Sequence, residues 1–588
     1  MFKIFKNLKK RDVCFMLICV MLVVTQVWLD LTMPDYTQKL TESVSAGSIE
    51  MSEVLKNGGM MLLCAVGSMA AAMFCGFFAA QVAANFAKTL RDKLFGHILK
   101  FSNTEINKFS TPSLITRTTN DVVQLQMLIA MGMQMMIKAP VTAIWAIVKI
   151  SDSSVEWTTA IFVCVAIVVV TIALLVSLAY PKFKQIQKLT DNLNDVTREN
   201  ISGVRVVRAF NAEKYQEKKF DKVNDDITKN HLFTSRIMGL MMPVMMMAMN
   251  GLTLAIYWIG AYLINNAEIT GRAEVIGNMM AFTQYALQIM GAFMMLVMIF
   301  IIMPRTMVSA KRINEVLETE PTIDYKSQEV KTTGHGKIEF KNVSFSYSDS
   351  GKPCLKNLSF EINEGETFAI IGATGTGKST LVNLIPRYYD VTAGEVLIDG
   401  VNIKEYPEEQ LEKIVSVAPQ KATLFSGDIK SNITYGCKDE VPDSDERIAK
   451  ALEVSKSDFV GGLAEGIHSK VAQGGTNYSG GQKQRLSIAR AVFKNSEIMI
   501  FDDTFSALDY KTDMLVRKSI REELSGTTVI IVAQRIGTIR NADKILVLHD
   551  GEIAGMGKHE ELMENCSIYK EIALSQLSEE ELAGKECV

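Results

Sequence analysis

The sequence has no charge excess: 62 Lys and Arg stand against 65 Asp and Glu, a formal net charge of -3 over 588 residues. That argues against a nucleic-acid polyanion as main partner. It also lacks any cysteine framework. The nine cysteines form no C-x-x-C pair and no metal-ligand spacing, so free thiols are expected. No small-residue cleavage site closely follows the first apolar run, about 13–31. The run therefore reads as a retained helix, not a removed signal. Phe2, Ile4, Phe5 and Leu8 among the first lysines suggest an amphipathic stretch on the cytosolic membrane surface. Helix breakers are scarce in a charged stretch, 182–229, which has no proline and only Gly203.

What the chain does have is apolar surface: 48% hydrophobic residues and a mean hydropathy of +0.15, high for a soluble protein and low for a wholly membrane one. Six runs, at about 13–34, 59–83, 123–148, 157–180, 238–264 and 275–303, can each span a bilayer, which takes ~20 residues. The connections after the second and fourth runs are basic, with Lys88, Arg91, Lys93 and Lys100 in one and Lys182 to Arg236 in the other. Basic loops stay in the cytosol, so both termini and the long loops are expected inside. If 182–229 is helical, ~25 residues at 1.5 Å rise reach ~38 Å, and two such helices would push a turn far from the membrane. A solvated charged loop is the alternative. A boundary near residue 319 separates this part, 1–319, from a second domain, 320–588, where apolar strands such as Phe368–Ile371, 498–501 and 529–532 alternate with amphipathic helices, an α/β pattern.

Between a strand and a helix lies Gly372-Ala373-Thr374-Gly375-Thr376-Gly377-Lys378-Ser379, followed by Thr380. It fits G-x-x-x-x-G-K-[ST], in which backbone N–H groups close around phosphates, the lysine charge meets the β- and γ-phosphates and the serine hydroxyl ligates Mg²⁺. The implied cofactors are ATP and Mg²⁺. The apolar strand 498–501 ends in Asp502, a carboxylate placed to hold the Mg²⁺ shell. Ser479-Gly480-Gly481-Gln482 opens a helix and offers a second anion-binding N-terminus.

Here the chain resembles the ABC ATPases, with Tyr478 where their signature usually has Leu. The resemblance assigns Tyr347 to adenine stacking, Gln420 to the Q-loop that senses Mg²⁺ with Ser379 and Asp502, and Asp509 to the D-loop. In the first half, Leu114–Arg117, Glu199–Gly203 and Val207–Asn211 resemble cytosolic loops of ABC exporters, whose coupling helices would fall near Thr104–Ser110 and Ala209–Gln216. The implied architecture is a membrane all-α domain of six helices plus an α/β P-loop ABC ATPase domain.

Two positions depart from the pattern. After Asp502 the family has Glu to activate water; this chain has Asp503, one methylene shorter. The switch histidine is replaced by Gln534, which can donate to a phosphate but cannot take a proton. Gln473 also stands where exporters often have Glu. The two readings are tolerated variants of a working site and a degenerate site. The second favours a heterodimer of the kind found among bacterial multidrug exporters. There, this chain's phosphate loop would bind ATP and hydrolyse it slowly, while Ser479, Gly480, Gly481 and Gln482 would complete a competent site on a homologous partner half-transporter.

The resemblance further implies a bacterial plasma-membrane exporter of hydrophobic or amphipathic compounds, drugs by family analogy and also lipids or peptides. An exporter-fold importer, as in siderophore uptake, and an ATP-regulated channel are the rivals. Methionines at helical spacing, such as Met127, Met131 and Met135, suit a promiscuous pocket or merely fill helix contacts. Polar residues at span depth point to a cavity: Asn250, Gln284 and Gln288 are the candidates. Asp30 and Lys138 are further polar residues in the spans, with an interfacial position and a structural pair as their respective alternatives.

Overall fold

The computed structural model describes residues 8–45, 51–151, 155–266, 268, 271–332, 334–347, 351–437 and 444–576; the amphipathic stretch expected over Phe2–Phe5 lies outside them. The chain divides into two compact units, one of residues 1–97 and 112–319, the other of 98–111 and 320–588.

The first unit is helical. It contains α1 (Lys10–Ser45) and most of α2 (Met51–Ile98); α3 (Asn103–Phe109) belongs to the second unit, and α4 (Thr111–Thr118) starts at the boundary. There follow α5 (Asn120–Ser151), α6 (Val155–Ser202), α7 (Val204–Ala209), α8 (Glu213–Gly239), α9 (Met241–Asn266) and α10 (Arg272–Glu318). Among the described residues six helical stretches are long and apolar enough to cross a membrane. The charged stretch after Lys182 is helix, not open loop: α6 runs unbroken to Ser202 and packs against α8. Of the helix expected over Ala209–Gln216, Ala209 ends α7 and residues 213–216 open α8, with a turn at 210–212 between them. Asn211 adopts φ 50°, and neither flanking helix can run through a left-handed residue. The first coupling segment is helical as α3, fixed by a capping box in which the Ser102 hydroxyl accepts from the Thr104 N–H and Glu105 reaches back to the Ser102 N–H.

The core of the helical unit lies where α1, α5 and α10 pack on one another. Pro34 sits inside α1. Proline has no N–H, so the Asp30 carbonyl one turn earlier loses its helical partner. Gln288 of α10 supplies a replacement, its Nε2 donating to Asp30 O at 2.9 Å. In an apolar span such a side chain is what makes an internal proline tolerable.

The second unit is built on strands β1 (Ile338–Phe345), β2 (Leu355–Ile362), β3 (Thr367–Ile371), β4 (Ala393–Ile398), β5 (Val401–Asn402), β6 (Val415–Ala418), β7 (Gly427–Asp428), β8 (Lys470–Val471), β9 (Ile498–Asp502), β10 (Thr528–Val532), β11 (Lys544–His549) and β12 (Glu552–Gly557). β2-β1-β4-β5 form an antiparallel sheet and β7-β8 a short pair, while β12-β11-β3-β10-β9-β6 form the central sheet. From β11 to β6 that sheet is parallel. Its strands are apolar on both faces, as parallel sheets covered on each side require. In β9, Met499 and Phe501 join one core while Ile498 and Ile500 join the other. The register matters for function. Val532 lies opposite Asp502 and Ile370, and Ala418 opposite Phe501, so β3, β10, β9 and β6 end at one edge. The loops leaving carboxyl ends of adjacent parallel strands are where such sheets bind ligands.

Candidate functional site

Four segments converge at that edge: the loop after β3, Asp502 and Asp503 at the end of β9, Gln534 after β10 and Gln420 after β6. The β3 loop runs into α11 (Lys378–Leu384), and its shape needs glycine. Gly375 and Gly377 have φ of 88° and 100°, and a Cβ on Gly372 would lie 2.3 Å from the Leu548 carbonyl oxygen. Lys378 crosses the loop, its Nζ donating to the carbonyls of Gly372 and Ala373 at 2.8 Å each. Burial pushes its ammonium pKa down, against the pull of Asp503 and Asp502.

Ser379 Oγ donates to Asp502 Oδ1 at 2.9 Å, which brings together two of the three expected Mg²⁺ ligands. Asp502 is 7% exposed, and burial pushes its carboxyl up from the ordinary value. Gln420, the third, donates instead to Asp503 Oδ2 at 3.1 Å. Hydroxyl, carboxylate and amide carbonyl are oxygen donors that suit a small hard cation, so the residues present fit Mg²⁺.

Asp503 is buried, with φ 46°. Its backbone N–H pairs with Val532 O at 3.0 Å. Its Oδ2 is taken twice, by Gln420 and by Gln534 Nε2 at 2.8 Å. Next to it lies a cavity of about 140 Å³ lined by Asp503, Phe505, Ser506, Gln534 and their neighbours. Asp503 is thus held by two amides, of which Gln534 shares the cavity wall with it.

Tyr347 is over a third exposed and its hydroxyl pairs with Thr380 Oγ1 at 3.0 Å, beside the phosphate loop. Thr374 and Thr376 lie within that loop, and the Thr376 hydroxyl donates to Ala373 O at 3.0 Å. Ser479 starts α12 (Gly480–Lys494), closed by a capping box with Gln482. Ser479 and Gly480 are exposed there. A Cβ on Gly481 would lie 3.4 Å from Ala507 O, which puts the signature against the segment leading to Asp509. Tyr478 replaces leucine without loss of packing: its ring joins the core and its hydroxyl donates to Lys470 O at 3.3 Å. Asp509 caps α13 (Tyr510–Glu523), accepting from the Thr512 N–H, a bond that lowers its carboxyl pKa.

In the helical unit the polar residues do not all gather. Lys138 of α5 pairs with Asp30 of α1 at 3.2 Å, and the other oxygen of Asp30 accepts from Ser68 of α2. One turn on, Lys149 pairs with Asp35 at 2.6 Å, and Tyr285 donates to the same carboxylate. Gln284 donates to Thr37 at 3.3 Å. Asp30, Lys138, Gln284 and Gln288 therefore belong to one seam along α1, while Asn250 lies exposed on α9, apart from it.

One residue had no motif to announce it. Gln576, 42 positions beyond Gln534, donates to the Gln534 carbonyl at 2.8 Å. The only sequence signal is a polar residue late in an amphipathic helix, which is too common to single it out.

Comparison with known proteins agrees with this architecture. Residues 13–317 match the family model described as ABC transporter transmembrane region, and residues 355–506 the one described as ABC transporter. An uncharacterized ABC transporter ATP-binding protein of Mycobacterium tuberculosis is 37% identical over 521 residues, 88% of this chain and 87% of that protein. An ATP-dependent lipid A-core flippase of Pseudomonas fluorescens is 31% identical, covering 84% of this chain and 81% of its own length. The probable multidrug resistance ABC transporter ATP-binding/permease protein YheI of Bacillus subtilis is 31% identical, covering 82% of each. The solved structure of a bacterial Atm1-family ABC exporter with ATP bound superposes with a TM-score of 0.79, covering 97% of this chain and all of that one, at 23% identity, a likeness of fold.

Proposed function

The chain belongs to the ABC transporter family as an exporter-type half-transporter, and from that premise we propose that it is the degenerate-site half of a heterodimeric exporter. It sits in the bacterial plasma membrane with its ATPase unit in the cytosol. Lys378, the glycine loop and Tyr347 would hold ATP, and Ser379, Asp502 and Gln420 would hold Mg²⁺, whose charge would offset that of the phosphates. Two ATP molecules draw this ATPase unit and that of a homologous partner together, and Ser479–Gln482 completes the partner's competent site.

The observation that carries the reading is the state of Asp503. Its carboxylate is a methylene short and one oxygen is shared by Gln420 and Gln534. General-base help depends on hydrogen-bond reach to the water and is typically worth ~10²–10⁴ in rate. The site is thus built to bind nucleotide better than to cleave it.

The transported compound is hydrophobic or amphipathic. A multidrug exporter and a lipid flippase among the relatives support this class. The test is to purify the full chain into nanodiscs, alone and with a candidate partner half, and to follow phosphate release. Slow release alone and rapid release with the partner are expected. Brisk release by the chain alone, lost in Asp503→Asn, overturns the reading.

A further inference from the structure

The last described helix, α15, spans Ser567–Gln576 and lies beside the short helix α14 (Ile536–Ile539). Its body is fixed in the core. Tyr569 and Ala573 are fully buried, and the Tyr569 hydroxyl pairs with His559 Nδ1 at 2.7 Å. Its end meets the segment that carries Gln534. Gln576 Nε2 donates to the Gln534 carbonyl at 2.8 Å, and Gln576 Oε1 accepts from the Ile536 N–H at 2.9 Å.

Those two backbone groups need a partner. α14 begins at Ile536, and the first N–H groups of a helix have no partner within it. The residue before, Arg535, has no side-chain acceptor, and no capping hydrogen bond forms there. Gln576, 40 residues further along, does what an N-cap side chain would do, and at the same time holds the carbonyl two residues earlier. From there the chain of contacts is short: the backbone of Gln534, its side chain, then Asp503 Oδ2 at 2.8 Å, which Gln420 also holds.

We propose that Gln576 is a positioning residue that tunes nucleotide hydrolysis, acting through the backbone of the switch segment to hold the Gln534 amide on the Asp503 oxygen that would otherwise face water. It touches neither nucleotide nor metal. The proposal rests on the reading of Gln534 and Asp503 as the hydrolytic end of the site, but it does not need that end to be slow.

The test uses the full chain in nanodiscs under single-turnover conditions with Mg²⁺ and labelled ATP, so that slow rates remain readable. Gln576→Met keeps the length and removes both hydrogen bonds. Gln576→Glu keeps the acceptor for Ile536 and removes the donor to Gln534. Losing one or two such bonds shifts the held population by about three- to tenfold. Gln576→Met loosens the amide that occupies the Asp503 oxygen and is expected to raise the rate constant by that factor, with apparent ATP affinity within about twofold, amide exchange at Ile536 faster by a similar factor and melting temperature unchanged. Gln576→Glu is expected between the two. In a Gln534→Ala background, Gln576→Met should add nothing, because the path runs through Gln534. An unchanged rate in Gln576→Met overturns the proposal. So does a fall in rate, an equal gain in the Gln534→Ala background, or a change that comes with a fallen melting temperature. The degenerate-site reading is judged separately, by the absolute rate of the unaltered chain, since Gln576 is judged only by ratios to it.

Discussion

Restoring the two altered side chains should wake the site. In Asp503→Glu the carboxylate moves outward by about one C–C bond, ~1.5 Å, past the position where Gln420 and Gln534 hold it at 3.1 and 2.8 Å. The adjoining cavity of about 140 Å³ can take the extra methylene. Gln534→His removes one of the two amides and supplies a group that can exchange protons. General-base help is worth ~10²–10⁴ in rate, or about 2.7–5.4 kcal/mol at 1.36 kcal/mol per decade. The double variant recovers part of that: phosphate release should rise by at least about tenfold and as much as ~10² over the unaltered chain. Asp503→Glu alone should give less, because the Gln534 amide still competes for the carboxylate. The assay is release of labelled phosphate from the full chain in nanodiscs at saturating Mg²⁺ and ATP. If the unaltered chain already turns over near ~10 s⁻¹, an ordinary enzyme rate, and the double variant matches it, then reach and pairing are not what limit this site.

Further perturbations follow from the same geometry. Lys378→Ala should weaken ATP binding by about 10–100-fold, the worth of charge-assisted hydrogen bonds to phosphate, read by filter binding. Burial raises the Asp502 pKa, so its ionised form is disfavoured in the fold; that cost is present above the raised pKa and disappears as pH falls through it. Asp502→Asn should therefore raise the melting temperature of the nucleotide-free protein at neutral pH, by a margin that shrinks on acidification, while Mg²⁺-dependent ATP binding is lost. Gln288→Leu strands the Asp30 carbonyl that Pro34 frees, at a cost of about 1–3 kcal/mol. Adding Pro34→Ala should recover most of it, since the helix can then bond that carbonyl itself; a cost that persists would separate Gln288 from the proline. Lys138→Ala should lower thermal stability by about 1–3 kcal/mol, less than for a fully buried pair because a quarter of each partner is open. Reversing both charges at Asp30 and Lys138 should restore it.

The ATPase half was legible because its determinants are local. A left-handed glycine, a strand that must be apolar on both faces and a serine that caps its own helix each show in a few consecutive letters. Parallel pairing then brings Asp502, Gln420 and Gln534 to one edge with little freedom left. The membrane half was legible only in its spans. That Gln284 and Gln288 were polar at depth could be read; that Gln288 answers a proline on another helix could not, since nothing in the local pattern links positions 258 residues apart. The pairing of Asp30 with Lys138 was hidden for the same reason, though each looked costly alone. The break within the helix expected over Ala209–Gln216 has a local cause: one asparagine in a left-handed turn, a conformation that residue tolerates but does not announce.

Apart from Gln420, the residues that differ from the family pattern and those that match it fall on different contacts. Lys378, Ser379 and Asp502 engage one another and the loop carbonyls. Asp503, Gln534 and Gln420 engage one another through a single oxygen. The first group needs only to stay charged and placed to hold nucleotide and Mg²⁺. The second must present a base to water, and there every local choice works against it: the arm is short, two donors occupy the oxygen, and the side chain that could relay a proton is an amide. The two hydrogen-bonded sets share only Gln420, which contacts Asp503 here. On the proposed degenerate-site reading, damage to the second set leaves Lys378, Ser379 and Asp502 in place, so such a half would keep nucleotide bound while a partner performs the chemistry.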